Sequence, residues 1–574
     1  MKSTLLALLF SVVVATAGPY DYVNSEAARI EQSLPKTLGD FANPESRARR
    51  HAEALEMFGL SPMPERTDLK PVITGRLDQA DFVVEKLHFQ SSPGLYVTAN
   101  LYLPKNIPAP LPVILYVCGH AVVKTNGVSF GNKTGYQHHG AWFARNGYAC
   151  LLIDTIQLGE IEGLHHGTHR ENMWWWNSRG YSPAGVEAWN SIRALDYLET
   201  RPEIDKTRFG VTGRSGGGAY SWSLIALDPR VKVAAPVAGI TDLHNHVIDG
   251  AVEGHCDCMF FVNTYAWDYP MLTGLAAPRP LLMVNTDHDT IFPLDGVIRT
   301  HSFAAQIYKA GSKPDLLGLV IAPGPHKDTQ DLQVPVFRWF NQHLRNTNVI
   351  VDLPATNYFT PAQLRVFNEL PKDQRVTTVH DWFIPKAAPG PQIASAEQWS
   401  KQRDEWLRGL REKVFRNWPQ NQPAPNRDFL KRNGDVFTVT DPRSIASLEK
   451  TAQTHLRRRY MLVGTTIDAM RVYDIVQAVS DAPNITVEAE GDMAANALFA
   501  ALFTDKIKTL RLKNLPATLD KSGPDYLNVL RFVDIREALA LAAEHTNLEL
   551  QNTQADVTYA RNTAQKLGWK TTIQ

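Results

Sequence analysis

Short apolar segments alternate with amphipathic ones from Leu111 to Leu344, and this alternation limits the possible folds more than any other feature of the chain. The apolar segments include LPVILYVCGH, YACLLID, RFGVTG and LLMVNT, which are typical of buried strands, and helical patterns lie between them. Strands that alternate with helices form a mostly parallel sheet with helices on both faces. Residues 72–104 instead carry three strand patterns in succession, which predicts an antiparallel start to the same sheet.

The segment GVTGRSGGGAYSW places Ser215 between a predicted strand and a predicted helix. Glycine is unfavourable inside regular structure, so the four glycines of GRSGGG, which surround Ser215, indicate a turn that other residues cannot form. Gly-x-Ser-x-Gly at a strand-to-helix turn is typical of a nucleophilic serine that the turn exposes. Isolated matches also arise by chance in glycine-rich turns, so the rest of the chain has to supply the catalytic partners.

Those partners follow two later strands. Asp287 and Asp289 come after LLMVNT, and His326 comes after LLGLVIAPGP. The carboxyl ends of parallel strands meet at one edge of a sheet, and the order Ser, Asp, His is that of α/β hydrolases. We therefore predict Ser215 as nucleophile, His326 as general base and Asp289 as the acid that orients His326, with Asp287 as the alternative acid.

We predict an oxyanion hole of two backbone N–H groups. One belongs to Gly216, and the other to the turn at His120 and Ala121 that follows the strand ending at Val117. The His120 side chain is either a substrate contact or part of the loop. Arg214, directly before the nucleophile, either binds substrate or forms a structural ion pair.

An insertion over residues 159–181 contains Arg170 and three consecutive tryptophans, Trp174, Trp175 and Trp176. Loops on a rigid scaffold concentrate binding groups. We predict that one or more of the tryptophans form an apolar wall for a sugar or acyl group and that Arg170 is a polar anchor. The alternative is that the tryptophans pack in the core.

Five segments together resemble the acetyl xylan esterase group of α/β hydrolases and, more loosely, prolyl-oligopeptidase-like hydrolases: LYVTANLYLPKN, VILYVCGHA, GRSGGG, NTDHDTIFP and PGPHKD. The resemblance covers about residues 80–345. It implies a serine ester hydrolase that acts on an acylated or esterified polysaccharide or oligosaccharide and uses no cofactor. Acetyl, methyl uronate and feruloyl esters all remain candidate substrates.

Two other functions are considered. A peptidase of the prolyl-oligopeptidase type would need a propeller of several four-stranded blades, and too few residues precede the predicted sheet to form one. A non-catalytic binding protein on a hydrolase scaffold is reasonable for the second half of the chain, whereas the first half contains every residue type of a catalytic triad.

The N-terminus has the pattern of an export signal. Lys2 precedes an apolar run from Leu5 to Val14, and Ala-Thr-Ala at 15–17 resembles a cleavage site. We predict a signal peptide over residues 1–17 and a secreted or periplasmic protein. The formal net charge is zero and no basic run occurs, which argues against nucleic acid or a membrane surface as partner. The oligomeric state stays open.

Four cysteines are present, and export permits disulfides without requiring them in a chain this long. Cys118 and Cys150 lie in apolar, strand-like segments typical of buried thiols. Cys256 and Cys258 lie in GHCDC, which offers several metal donors in a row. Zinc sites usually have wider cysteine spacing and further ligands, so we predict no metal but a loop near the cleft, with or without a cross-link.

We divide the chain after the signal into a catalytic unit (18–348), a helical linker (349–435) and a second α/β unit (436–574). VEAEGDMAANALFAALFTDKIKT, from Val487, aligns without a gap with VTGRSGGGAYSWSLIALDPRVKV, from Val211, and Ser215 then falls on Gly491. We interpret the second unit as a degenerate, non-catalytic hydrolase domain. Two unrelated α/β units with a similar rhythm are the alternative.

Overall fold

The computed structural model describes residues 18–419, 427–482 and 484–574, so the predicted signal peptide lies outside the described residues. Eleven strands belong to the first unit: β1 (Val72–Asp78), β2 (Phe82–Ser92), β3 (Leu95–Pro104), β4 (Leu111–Val117), β5 (Lys124–Thr125), β6 (Val128–Ser129), β7 (Ala149–Ile153), β8 (Ile204–Arg214), β9 (Val231–Val237), β10 (Leu281–Thr286) and β11 (Leu317–Ala322).

Nine of these strands form one sheet, with β5 and β6 paired separately. The order in the sheet is β1-β2-β3-β7-β4-β8-β9-β10-β11. Strands β1 to β3 are antiparallel and β3 is antiparallel to β7, whereas every neighbouring pair from β7 to β11 is parallel. The predicted antiparallel start and parallel continuation are both confirmed.

Helices cover the sheet on both faces. The first unit contains α1 (Asp21–Ser33), α2 (Pro44–Met57), α3 (Gln137–Arg145), α4 (Gly167–Arg170), α5 (Trp175–Arg179), α6 (Pro183–Glu199), α7 (Gly216–Leu227), α8 (Met271–Ala276), α9 (Leu294–Ala310) and α10 (Gln330–Arg345). One large apolar cluster packs α6, α7 and α8 on one face of the sheet, and a second packs α3 and α10 on the other. Both faces of the central strands are therefore buried, which explains why β4 and β7 are apolar throughout.

Residues after α10 lead to a second, smaller sheet. Three helices, α11 (Pro361–Leu364), α12 (Val379–Trp382) and α13 (Ala396–Gly409), precede it. Its strands are β12 (Leu430–Asn433), β13 (Val436–Val439), β14 (Ile485–Glu490), β15 (Ile507–Lys513) and β16 (Asn547–Gln551), and its helices are α14 (Lys450–Leu462), α15 (Ile467–Ala478), α16 (Asp492–Ala501), α17 (Ile535–Ala543) and α18 (Thr558–Leu567). The strands lie in chain order, and β13 to β16 are parallel. This confirms a second α/β unit, although its first strand begins within the segment predicted as linker.

The turn between β14 and α16 repeats the backbone geometry of the turn between β8 and α7. Gly491 has φ 62° and ψ −130°, and Ser215 has φ 60° and ψ −123°. Each residue stands directly between a parallel strand and the N-terminus of the following helix. The equivalence supports the proposed internal repeat, in which the second copy has glycine where the first has serine.

Helix α14 of the second unit packs against the loop that follows β9 in the first. Arg458 is buried, and its guanidinium donates to the carbonyl oxygens of Val252 and His255, each at 2.7 Å. The insertion also contacts the second unit, because Asn177 donates to Asp525 at 2.7 Å. In the part of the chain that the structure describes, no helix is long and apolar enough to cross a membrane.

Candidate active site

Ser215 lies at the carboxyl end of β8, in the turn that leads into α7. Its φ of 60° is a strained value for any residue other than glycine, and its N–H donates to the carbonyl of Val237 at 2.9 Å, which holds the turn against β9. A strained strand-to-helix turn that carries serine is the geometry of the nucleophile in α/β hydrolases.

The glycines around Ser215 permit this turn to pack against neighbouring main chain. A Cβ atom at Gly213 or Gly217 would lie 2.1 Å from the carbonyl oxygen of Val117, at the end of β4. A Cβ atom at Gly218 would lie 2.4 Å from the carbonyl oxygen of Val237. The glycine cluster is therefore needed for close backbone packing as well as for the turn itself.

His326 and Asp289 form a hydrogen-bonded pair at the same edge of the sheet. His326 Nδ1 lies 2.7 Å from Asp289 Oδ2, and the Asp289 side chain is completely buried. The other carboxylate oxygen accepts from the N–H groups of Ile291 and Phe292, both at 2.9 Å. A carboxylate in this position holds the proton on Nδ1 and leaves Nε2 free to act as a base.

Asp287, the alternative acid, points elsewhere. Its carboxylate pairs with the neighbouring His288 ring at 2.6 Å and accepts from the N–H of Gly324 at 2.8 Å. The bond from Gly324 and the one from His288 lower the pKa of Asp287 below its ordinary value. The side chain is 37% exposed. The geometry thus favours Asp289 as the partner of His326.

The link between Ser215 and His326 is not closed in this structure. Among the residues that the structure describes, no hydrogen bond is formed by the Ser215 hydroxyl. Catalytic hydrogen bonds are often long in proteins without bound substrate and shorten in the substrate complex. Ser215 follows β8, Asp289 follows β10 and His326 follows β11, so all three lie at one sheet edge. The complete triad stays a prediction.

The predicted oxyanion turn lies against the nucleophile turn. A Cβ atom at Gly119 would lie 2.2 Å from the carbonyl oxygen of Arg214. The N–H of Ala121 donates to the carbonyl of Gly119 at 3.0 Å and is therefore engaged within the turn. Of the two residues predicted beside Gly216, His120 is the better donor, because within the described chain its N–H has no hydrogen-bond partner.

A network of buried charges supports the predicted oxyanion turn. Lys133 Nζ lies 2.7 Å from both Asp154 Oδ2 and Glu160 Oε1, and all three side chains are almost completely buried. Burial alone would lower the pKa of Lys133, but the two carboxylates raise it above its ordinary value. The adjacent Asn132 donates to the carbonyl of Gly119 at 2.6 Å. A buried ion network fixes such a loop because breaking one partner leaves an uncompensated charge.

The three tryptophans are not brought to the nucleophile turn. Trp174, Trp175 and Trp176 are all buried, and Trp176 belongs to the main apolar cluster. The guanidinium of Arg457 lies 3.9 Å from the Trp174 ring centroid and the Lys521 ammonium 5.3 Å from that of Trp175, and both cations belong to the second unit. Trp176 instead packs on the rings of Tyr181 and His380. The prediction of an apolar wall is therefore corrected: these buried rings pack against the insertion, the linker and the second unit.

The two arginines predicted as substrate anchors lie in different places. Arg170 is exposed and lines a surface cavity with Trp174 and His455, on the side of the second unit. Arg214 is half-buried beside the Tyr136 hydroxyl, and its Nε has no hydrogen-bond partner in the described chain. Arg214 is adjacent to the nucleophile and remains a candidate, whereas Arg170 belongs with the tryptophans.

Two groups of side chains near this edge have the donor atoms of a metal site. One contains His120, His165, Cys256 and Cys258, and the other contains His138, His139 and Asp328. Sequence reasoning did not connect either group, because each joins segments that are distant in the chain.

The second group supports the loop that carries His326. Asp328 Oδ2 lies 3.1 Å from His138 Nε2 and 2.8 Å from His139 Nε2. Burial would raise the pKa of Asp328, but its interactions with the two imidazoles hold that pKa well below its ordinary value. A firmly ionised Asp328 anchors the residues after His326 to α3, so this group has a structural explanation.

Residues 31–235 match the family model described as Abhydrolase family (Abhydrolase_7). YtaP of Bacillus subtilis (strain 168), provisionally named a hydrolase, is 24% identical over 311 residues, which cover 52% of this chain and 100% of YtaP. The 4-O-methyl-glucuronoyl methylesterase of Phanerochaete carnosa (strain HHB-10118-sp) is 23% identical over 241 residues, which cover 37% of this chain and 59% of that protein.

Among solved structures, methylesterase BT1017 superposes with a TM-score of 0.49 at 20% identity, over 66% of this chain and 81% of its own. A glucuronoyl esterase from Solibacter usitatus superposes with a TM-score of 0.42 at 17% identity, over 52% of this chain and 94% of its own. The nine-stranded, mostly parallel sheet and the strained serine turn between β8 and α7, together with the Abhydrolase-family match over residues 31–235, show that the N-terminal unit has an α/β-hydrolase fold.

Proposed function

We propose that this protein is an exported serine hydrolase that cleaves ester bonds in acylated or esterified polysaccharides. The observation that carries the proposal is the 2.7 Å bond between His326 and a completely buried Asp289, at the sheet edge where the turn holds a partly exposed Ser215. A base with a fixed tautomer and a serine at the same sheet edge are what nucleophilic catalysis by serine requires.

In the proposed mechanism, Ser215 Oγ attacks the ester carbonyl carbon and its proton passes to His326 Nε2. The N–H groups of Gly216 and His120 donate to the oxyanion of the tetrahedral intermediate. His326 then returns the proton to the departing alcohol as the carbon–oxygen bond breaks, which leaves an acyl group on Ser215. Water, deprotonated by His326, attacks the acyl carbon. The bond from that carbon to Ser215 Oγ then breaks, His326 returns the proton to Ser215 Oγ, and the acid is released. Asp289 stays ionised and stabilises the imidazolium in both halves.

The ester substrate class is supported by the relatives. The Phanerochaete carnosa relative is named a methylesterase of a glucuronic-acid derivative, and the resemblance to acetyl xylan esterases in the sequence points to the same broad class. Acetylated xylan and methyl-esterified uronic acids are the two substrates to compare first, and feruloyl esters are the third. Export is supported by the N-terminal sequence.

A peptidase of the prolyl-oligopeptidase type is not favoured. Residues 18–110, all of which the structure describes, contain α1, α2 and only the three strands β1 to β3 before β4 begins the parallel part of the sheet. Even one propeller blade has four strands, and these three belong to the catalytic sheet itself.

The test measures acetate release from acetylated xylan and methanol release from methyl-esterified pectin. A chromogenic proline amide, which a peptidase would cleave, serves as the negative substrate. Ser215→Ala should lower ester hydrolysis by about a thousandfold or more while the protein stays folded. Ser223→Ala is the matched control, because Ser223 lies on α7, the helix that follows Ser215, and its hydroxyl donates to the main-chain carbonyl of Ala219. A serine-directed phosphonate should label Ser215 alone; labelling of another residue, or an active Ser215→Ala variant, would refute the proposal.

A further inference from the structure

We propose that Cys256, Cys258, His165 and His120 bind one zinc ion beside the nucleophile turn. The zinc site concerns what holds the loops around the nucleophile turn in place, and only its effect on kcat rests on the proposed ester hydrolysis. It replaces the sequence-based expectation of a loop without metal, which considered the GHCDC segment alone.

The four donor atoms converge from three separate segments of the chain. His165 Nε2 lies 2.7 Å from Cys256 Sγ, and His120 Nε2 lies 3.4 Å from Cys258 Sγ. All four atoms lie within 4.8 Å of one another. Tetrahedral zinc with bonds of about 2.0–2.3 Å separates its ligand atoms by about 3.3–3.8 Å, so small side-chain adjustments suffice to coordinate one ion.

The ligand chemistry matches zinc better than other common ions. Two thiolates and two imidazoles form the Cys₂His₂ set of structural zinc sites, whereas calcium and magnesium need oxygen ligands. The second histidine of the pair, His166, has Nε2 at 3.9 Å from Cys256 Sγ and lies at the rim of the cluster. Four protein ligands leave no open position, so the ion would have a structural role and take no part in the chemistry of the ester.

A separate set of bonds already fixes the segments that carry these ligands. Asp257, between the two cysteines, accepts from the N–H of Thr168 at 2.8 Å and from its hydroxyl at 2.7 Å, which joins the cysteine loop to the insertion. Arg458 of the second unit donates to the carbonyl oxygen of His255 at 2.7 Å. Metal sites are commonly held by such outer contacts, which set the positions of the ligands.

The His120 ligand connects the ion to the oxyanion turn. A Cβ atom at Gly216 would lie 3.0 Å from both Cε1 and Nε2 of His120, so the imidazole lies directly over the start of α7. A metal bond to His120 Nε2 would fix this ring, and with it the main chain whose N–H we propose as an oxyanion donor. Loss of the ion should therefore lower kcat more than it changes KM.

The test uses Zn²⁺ and Co²⁺ with the full-length protein. Elemental analysis after growth with added zinc should find about one zinc per chain. Replacement by Co²⁺ should produce an intense near-ultraviolet band from thiolate-to-cobalt charge transfer and visible bands of tetrahedral intensity. Cys258→Ser and His165→Ala should each lower the metal content at least tenfold, whereas Cys150→Ala, which removes a buried thiol outside the cluster, should leave it unchanged.

The wild-type protein alone can decide the question if a variant does not fold. Absence of stoichiometric zinc, a cobalt spectrum without the thiolate band, or a disulfide between Cys256 and Cys258, located by peptide mapping of the denatured, unreduced protein, would each overturn the site. Ser215→Ala should keep its zinc, so failure of the metal site and failure of the proposed ester hydrolysis are distinguishable.

Discussion

Replacing Asp289 with asparagine should convert His326 to the wrong tautomer without disturbing the fold. In the native site one carboxylate oxygen of Asp289 accepts two backbone N–H bonds, from Ile291 and Phe292, and the other faces His326 Nδ1. An asparagine has one oxygen, and that oxygen is needed by the two N–H donors. Its NH₂ group must then face His326 Nδ1, which has to accept a hydrogen bond from it. The imidazole proton therefore moves to Nε2, which can no longer act as the base.

The expected loss follows from this geometry. Triads with the corresponding substitution lose about ten-thousandfold in kcat, which corresponds to about 5 kcal/mol of transition-state stabilisation. Because both backbone bonds persist, the melting temperature should change by only a few degrees. Hydrolysis of a nitrophenyl acetate, measured as kcat and KM over a range of pH, with circular dichroism for the fold, tests both statements.

Asp287→Asn is the matched control, since the two aspartates lie in the same loop and only Asp289 contacts His326. The control should retain activity within about threefold, because the Asp287 carboxylate bonds to His288 and Gly324 and has no bond to His326 among the described residues. A larger loss for Asp287→Asn than for Asp289→Asn, or less than a tenfold loss for a folded Asp289→Asn, would refute the reasoning.

Three further tests concern a buried carboxyl group, the contact between the units, and the repeat. Burial raises the pKa of Glu187 to about 8, so the folded state binds the carboxyl proton more tightly than the unfolded state. The contribution of this group to the free energy of unfolding is therefore complete below about pH 4.5 and is lost as the pH rises to about 8. The melting temperature of Glu187→Gln should therefore fall less between pH 5 and 8 than that of the wild type, and equal slopes would contradict the assignment. Arg458→Gln removes two bonds to the cysteine loop and should lower both the melting temperature and the esterase kcat; unchanged values would show that the contact is dispensable. Gly491→Ser in the Ser215→Ala background should recover no activity, because a base would have to follow a strand, whereas His545 precedes β16 and no histidine comes after it in the sequence. Any regained hydrolysis would contradict this.

The sheet and the catalytic edge could be predicted because local patterns determine them. Apolar strands alternating with helices imply a parallel sheet. Ser215 stands directly after β8, and Asp289 and His326 stand in the loops that follow β10 and β11. The sequence could not show where each carboxylate points, since two aspartates separated by one residue share the same sequence signal. Hydrogen bonds from Ile291 and Phe292 decide between them, and such bonds depend on the folded loop.

Contacts between distant segments account for what the sequence could not predict. Three adjacent tryptophans look alike whether they face a cleft or a neighbouring unit, and here the partners of Trp174 and Trp175 are cations from the far end of the chain. His120 and Cys258 are 138 residues apart, so nothing local indicates that they meet. Their meeting is a property of the tertiary structure.

The matching backbone angles at Ser215 and Gly491 show that the fold needs this turn conformation in both units, with or without a serine. Glycine adopts this conformation without a steric penalty, whereas a residue with a Cβ atom loses on the order of 1–3 kcal/mol there. The second unit therefore holds the same turn in a relaxed state. Serine at position 215 destabilises the first unit at the position proposed for the nucleophile. A variant with glycine there should therefore be inactive and harder to unfold.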